Sequence, residues 1–360
     1  MKNNLKSIFL AANSAEGFVS FFGESYDVKD GWRAYIIKGG PGTGKSTIMK
    51  TVAKSAAAVG FDPVLVYCSS DPDSLDGVII NEKKAVIIDG TSPHIVEPSL
   101  YGAGEIIVNP GDLLDTALLE ESREELINLG AKNKLYHETS SRYVAAAGEV
   151  FKDNLRLSAS ALDIYKIKRF VMKTIDKYFK QSPKGKRVKR AFLSGITSKG
   201  IVSHTDKAEL WCDNIIVLED KTRAAAYEII RRISAAAKNA GYSVIEFKNP
   251  LHTEIGEHIV IEELSLGIFT ESENIKLPKG IKRVHVRRFY QSEKLFRIKQ
   301  KIKFNNRIYN SLIKTATDNL SLAKATHDEI EAVYIRAMNF KGTRQITDKL
   351  LKNIFDRKNK

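Results

Sequence analysis

Residues 39 to 46 read Gly39-Gly40-Pro41-Gly42-Thr43-Gly44-Lys45-Ser46, and 181 positions downstream the surroundings of this octet recur without it. The octet constrains the local fold, because G-x(4)-G-K-[ST] cradles phosphate only when a strand feeds it and a helix leaves it. Both neighbours are predicted. Ala34-Tyr35-Ile36-Ile37 is a short apolar, β-prone run. Ile48, Met49, Val52, Ala53 and Ala56 then recur at helical spacing until Gly60, which reads as a helix C-cap. Glycines let backbone N–H groups turn inward around an anion, and the helix N-terminus adds partial positive charge. In such a loop Lys45 reaches the β- and γ-phosphates of a nucleotide and the Ser46 hydroxyl ligates Mg²⁺. The expected nucleotide-binding set is Gly39, Gly40, Pro41, Gly42, Thr43, Gly44, Lys45, Ser46 and Thr47.

A phosphate loop of this kind needs a second oxygen ligand near its metal. Ala85-Val86-Ile87-Ile88-Asp89 is an apolar strand ending in a carboxylate, so Asp89 is the expected partner of Ser46 on Mg²⁺. Gly90 follows, leaving no Glu at the position that often activates water. No guanine-specifying Asn-Lys-x-Asp occurs, which favours ATP over GTP.

The repeat begins at the N-terminus. Phe9-Leu10 and Gly17-Phe18-Val19-Ser20 return as Phe192-Leu193 and Gly200-Ile201-Val202-Ser203. From Ile36 to Gly90 the offset of 181 holds without a gap, so that Ile48, Met49 and Val52 map onto Ile229, Ile230 and Ile233. Helix face and strand core persist, as a duplicated fold requires. The chemistry does not: Gly39 becomes Asp220, Gly44 becomes Ala225, Lys45 becomes Ala226, Ser46 becomes Tyr227 and Asp89 becomes Thr270. The second copy is expected to bind no nucleotide.

The degenerate copy also serves as an internal control. Asp73 and Asp76, in an acidic run after the second strand, map onto Glu254 and Glu257, so acids survive there without the loop; they read as caps at the start of a short helix. Asp71 maps onto His252 and keeps a chemical reading. His94, in Thr91-Ser92-Pro93-His94, is placed with Lys45 and Asp89 in the expected catalytic set, as a γ-phosphate sensor or proton shuttle, against the reading of a surface histidine.

Lys2, Lys6 and the apolar stretch that follows imitate a signal peptide, but the same pattern at 192–203 assigns it to the module. No run of 18 uncharged apolar residues exists, and Cys68 and Cys212 give neither a disulfide framework nor a metal spacing. A cytoplasmic chain with no membrane role is expected. With 360 residues, two domains are expected, 1–182 and 183–360, joined at Gln181-Ser182-Pro183-Lys184-Gly185. Each reads as an α/β unit with a mostly parallel sheet, followed by helices over about 112–129 and 135–179 in the first half and from about 289 to 355 in the second. Basic runs at 184–190 and 282–303, the latter with Phe289, Tyr290, Phe296 and Phe304 interleaved, read either as solvated or core-facing helix or as a grip on nucleic acid.

Gly39 to Thr47, the run Cys68-Ser69-Ser70-Asp71-Pro72-Asp73-Ser74-Leu75-Asp76-Gly77, and Asp89-Gly90-Thr91-Ser92-Pro93-His94 together resemble a family of bacterial tandem P-loop proteins labelled ATPases or nucleotide-kinase-like. The resemblance covers nearly the whole chain and implies nucleotide binding on two P-loop NTPase-like modules. The family's second half often carries an intact loop as well; Ala226 and Tyr227 depart from that pattern here. The expectation is a Mg²⁺-dependent ATPase with one site, its second repeat serving as a regulatory or protein-binding surface. Arg223, Arg231 or Arg232 could act as an arginine finger. A small-molecule or nucleotide kinase and an ATP-gated nucleic-acid binder are the alternatives.

Overall fold

The structure, a computed structural model, describes residues 5–180 and 187–357; the expected junction at 181–185 lies outside the described residues. The first half runs β1 (Ser7–Ile8), a hairpin of β2 (Ala11–Ser14) and β3 (Gly17–Ser20), β4 (Arg33–Ile37), α1 (Lys45–Ala58), β5 (Val64–Tyr67), β6 (Leu75–Ile80), β7 (Ala85–Asp89) and β8 (Glu105–Val108). Three helices follow, α2 (Thr116–Glu121), α3 (Arg123–Ala159) and α4 (Ile164–Tyr178). The second half repeats the plan with β9 (Val188–Ala191), the hairpin β10 (Ser194–Thr197) and β11 (Gly200–Ser203), β12 (Asn214–Glu219), α5 (Ala224–Ala240), β13 (Val244–Lys248), β14 (Gly256–Ile261), β15 (Leu266–Glu271), β16 (Arg283–His285), α6 (Ser292–Arg336) and α7 (Phe340–Phe355).

Each half builds a six-stranded sheet, in the order β1-β5-β6-β7-β4-β8 and, equivalently, β9-β13-β14-β15-β12-β16. In each sheet one strand, β6 or β14, runs against the other five. The strands β4 and β7 are buried along nearly their whole length, which is why they read as continuous apolar runs rather than alternating ones. The duplication extends to backbone strain: Lys84 and Ser265, 181 positions apart, both turn with φ 44° before the next strand.

The helical segments differ from the sequence expectation. No break occurs near 130–134; α3 runs through, because Gly130 faces open space and needs no special backbone. The break falls at Asp163, whose carboxylate accepts from Lys166 N–H to cap α4, and recurs at Asn339, whose side chain accepts from Gly342 N–H to cap α7. α3 and α6 lie antiparallel, tied by Asn133 Nδ2 to Ala323 O (2.7 Å) and Ser140 Oγ to Ala316 O (2.9 Å).

The last helix of each half covers the sheet of the other. Ile167 and Val171 of α4 are buried in one cluster with α5 and the second sheet. Leu350 and Ile354 of α7 are buried with α1 and the first sheet. Between the sheets a third cluster draws on both halves, with Phe9, Leu10, Phe192 and Leu193 together. The boundary at 182/183 therefore separates two sequence repeats whose cores are shared. Phe9 and Leu10 are almost fully buried there, in keeping with their reading as part of the module.

Candidate functional site

Parallel pairing of β4 with β7 brings Asp89 opposite Ile37, beside the mouth of the 39–46 loop. The loop turns on Gly42 (φ 69°) and Gly44 (φ 85°), which occupy the left-handed region open to glycine. Lys45 folds back so that its Nζ donates to Gly39 O at 2.8 Å and Gly40 O at 2.9 Å, and it lies 3.7 Å from Asp89 Oδ2. Thr43 Oγ1 closes the turn on Gly40 O at 2.8 Å. Ser46 Oγ accepts from Leu75 N–H at 3.0 Å, while Asp89 Oδ1 accepts from Thr91 N–H at 3.0 Å. Pro41 is half-buried in the loop and Thr47 faces outward from the first turn of α1. The N-terminus of α1 at Gly44 carries no side-chain cap.

A helix of the other half lies over this loop. Gly42 N–H donates to Glu331 Oε1 of α6 at 3.3 Å. A Cβ at Gly42 would come within 2.8 Å of Glu331 O, and one at Gly40 within 3.2 Å of the Tyr334 ring. The glycines thus admit α6 as well as shaping the loop. His327, with Nε2 at 3.6 Å, holds the Glu331 carboxyl below the usual carboxylate range, aided by the Gly42 N–H.

Beside Asp89, the sequence reading needs correction at Asp76. It caps no helix: it is the second residue of β6, and because Gly77 pairs with Ile88 it lies at the same end of the sheet as Asp89, on the neighbouring central strand. Asp76 is buried, with Oδ2 at 2.9 Å from His94 Nε2. His94 is buried too, its ring meeting Phe18 and Phe22 edge-on, so it is no surface histidine. The equivalent Glu257 is also buried, 3.3 Å from Arg223 Nη1 and hydrogen-bonded by Ser194 and Asn249. The two equivalent acids thus have different partners, His94 for Asp76 and Arg223 for Glu257. Asp73 is exposed and pairs with Lys199, and Asp71 pairs with Lys324 of α6 at 3.5 Å.

The second loop is filled by its own residues. Asp220 accepts from Ala225 N–H and Ala226 N–H through Oδ2, both at 3.0 Å, and from Thr222 N–H through Oδ1 at 3.0 Å. A carboxylate thus occupies the N-terminus of α5, where an anion is favoured. Ala225 N–H also reaches the Tyr290 hydroxyl at 2.9 Å, and burial followed by the Asp220 charge pushes that phenol well above its ordinary range. Arg223 keeps the turn of Gly42, with φ 64°, and stacks its guanidinium 5.3 Å over the Phe151 ring. Arg231 and Arg232 both pair with Glu228 on the same helix. The expected arginine fingers are all engaged elsewhere, Arg223 by Glu257 and the Phe151 ring and Arg231 and Arg232 by Glu228. In the basic segment, Phe289 and Tyr290 are core residues, whereas Phe296 and Phe304 are 75% and 58% exposed.

Comparison with protein-family models, curated protein sequences and solved structures found no match. Among the described residues, no helix is long and apolar enough to cross a membrane.

Proposed function

We propose that loop 39–46 is the single ATP site of a Mg²⁺-dependent ATPase built on two P-loop-like modules, and that its second module binds no nucleotide. The observation that carries this reading is the contrast between two equivalent helix ends. α5 has its anion built in as Asp220. α1 lacks a side-chain cap and instead has Lys45 and Asp89 flanking an inward-turned glycine loop.

The residues present fit the group. Loop N–H groups and Lys45 would hold phosphate oxygens, and Ser46 and Asp89 would ligate Mg²⁺, which when bound neutralises charge on the transferred phosphoryl. The Lys45 ammonium now rests on two loop carbonyls, and Glu331 offers a carboxylate oxygen to Gly42 N–H, the kind of contact a phosphate oxygen would make. Entry of a triphosphate requires Glu331 and Tyr334 to withdraw. Because both belong to α6, nucleotide binding at the first half would pull on a helix rooted in the second. The buried Asp76–His94 pair, close in space to Asp89, supports the phosphate-sensing or proton-shuttling role read for His94. The resemblance to tandem P-loop ATPases agrees with this reading.

Incubation with γ-labelled ATP and a panel of acceptors tests it. Label in free phosphate supports hydrolysis, label in an acceptor moves the assignment to a kinase, and no turnover leaves binding without catalysis. The exposed rings of Phe296, among the nine Lys and Arg of 282–303, and of Phe304, just after them, favour a second reading, an ATP-gated grip on single-stranded nucleic acid. Binding that weakens steeply with salt would support it.

A further inference from the structure

The hairpin turn of the first half meets a loop of the second at Glu16, His252 and Glu254, whose ligand atoms all lie within 4.8 Å of one another. His252 is fully buried. Its Nε2 is 2.9 Å from Gly148 O, a carbonyl that can only accept, so Nε2 carries the hydrogen. The other ring nitrogen, Nδ1, is buried without a hydrogen-bond partner, and points toward Glu16 Oε1 at 3.7 Å and Glu254 Oε1 at 3.9 Å. With Nδ1 unprotonated, as metal binding requires, its lone pair faces the two carboxylates. Glu16 is already oriented, its Oε2 accepting from Thr253 Oγ1 at 2.9 Å.

The pseudo-equivalent place in the first half shows how the same junction is balanced without histidine. Glu16 corresponds to Lys199, His252 to Asp71 and Glu254 to Asp73, and the equivalent caps Asp163 and Asn339, 176 positions apart, place Gly148 opposite Lys324. There Lys199 pairs with Asp73 and Lys324 with Asp71, so two ammonium groups meet two carboxylates. The His252 corner has two carboxylates and has lost both lysines.

We infer that this corner binds a first-row divalent cation of the Zn²⁺ class, through His252 Nδ1 and one oxygen each of Glu16 and Glu254. Such ions take imidazole nitrogen and carboxylate oxygen at about 2.0–2.2 Å, which sets ligand atoms roughly 3.3–3.6 Å apart in a tetrahedron. The two distances from Nδ1 exceed that only slightly, and the glutamates are solvent-facing and free to close. The fourth position is left to water. Gly148 O orients the imidazole as backbone carbonyls do behind metal-bound histidines. The ion would fasten the β2–β3 hairpin of one half to the β13–β14 loop of the other.

The test is Zn²⁺ titration of the full chain by calorimetry without nucleotide, alongside the double variant Glu16→Gln with Glu254→Gln. The wild-type chain is expected to bind one Zn²⁺ that the variant loses by more than tenfold in affinity, and Co²⁺ in its place to show a nitrogen-and-oxygen ligand spectrum absent from the variant. Metal-free, the variant should melt no lower than the wild type. Absence of Zn²⁺ binding, equal binding by the variant, or a metal-free variant that melts lower because an imidazolium has lost its counter-charges would overturn the inference.

Discussion

Phe9 and Phe192 exchange both of their backbone hydrogen bonds, Phe9 N–H to Phe192 O at 2.9 Å and Phe192 N–H to Phe9 O at 2.8 Å. Such reciprocity marks a local two-fold relation within one chain. It continues outward, for Ala15 N–H donates to Leu251 O and the equivalent Ser198 N–H to Ser70 O, both at 3.0 Å. The two repeats therefore meet as the subunits of a symmetric dimer do, and each sends its last helix to the other.

That exchange predicts crossed stability effects. Leu350 lies in the second repeat, yet Leu350→Ala opens a cavity under the first sheet. A cost of about 3 kcal/mol is expected. Hydrogen exchange should show lost protection in β4–β7 before β12–β15. Ile167→Ala, from the first repeat, should show the reverse. Losses confined to the mutated repeat's own sheet would rule the exchange out.

Asp220→Ala should destabilise the chain by about 1–3 kcal/mol, because it strips the buried Ala226 N–H at the head of α5 of its acceptor and leaves Ala225 N–H only the Tyr290 hydroxyl. Urea unfolding measures this. No nucleotide binding should appear in return, since Ala226 and Tyr227 supply neither ammonium nor metal ligand.

Glu331→Ala should raise ATP affinity about threefold, the effect of removing a partly exposed ionic competitor worth ~0.7 kcal/mol. Weaker binding would show that Glu331 serves the nucleotide instead of standing in its place.

Acid sensitivity has an identifiable source. Burial, with a smaller opposing pull from Glu257, pushes the His258 imidazole down to about 4, and burial does the same to His204. In the unfolded chain each takes a proton near 6.5, so between pH 6.5 and about 4 the unfolded state binds more protons. Stability should fall as pH drops through that window, by about 3 kcal/mol for the fully buried His258. His258→Asn, which keeps an acceptor for Thr270 N–H, should flatten the profile by that amount in pH-dependent unfolding.

The strand, loop and helix around Lys45 were legible because three local signals agree: an apolar run, a glycine turn and helical periodicity. The ungapped offset made the second sheet legible through the first. The partners of α4 and α7 were not, since an amphipathic face such as Ile167 and Val171 does not specify which sheet it covers. Glu331 above Gly42 was invisible for the same reason, being 289 positions away. The Asp76–His94 pair was within reach, since His94 follows Asp89 closely, but residue type alone does not separate a buried acid such as Asp76 from an exposed one such as Asp73.

Calorimetric titration of Mg²⁺-ATP tests the central claim most directly. One nucleotide per chain should bind, and Lys45→Ala should lower its affinity about 100-fold, the loss of two charge-assisted contacts to phosphate. Two nucleotides per chain, or undiminished affinity in Lys45→Ala, would contradict a single site at Gly39–Ser46.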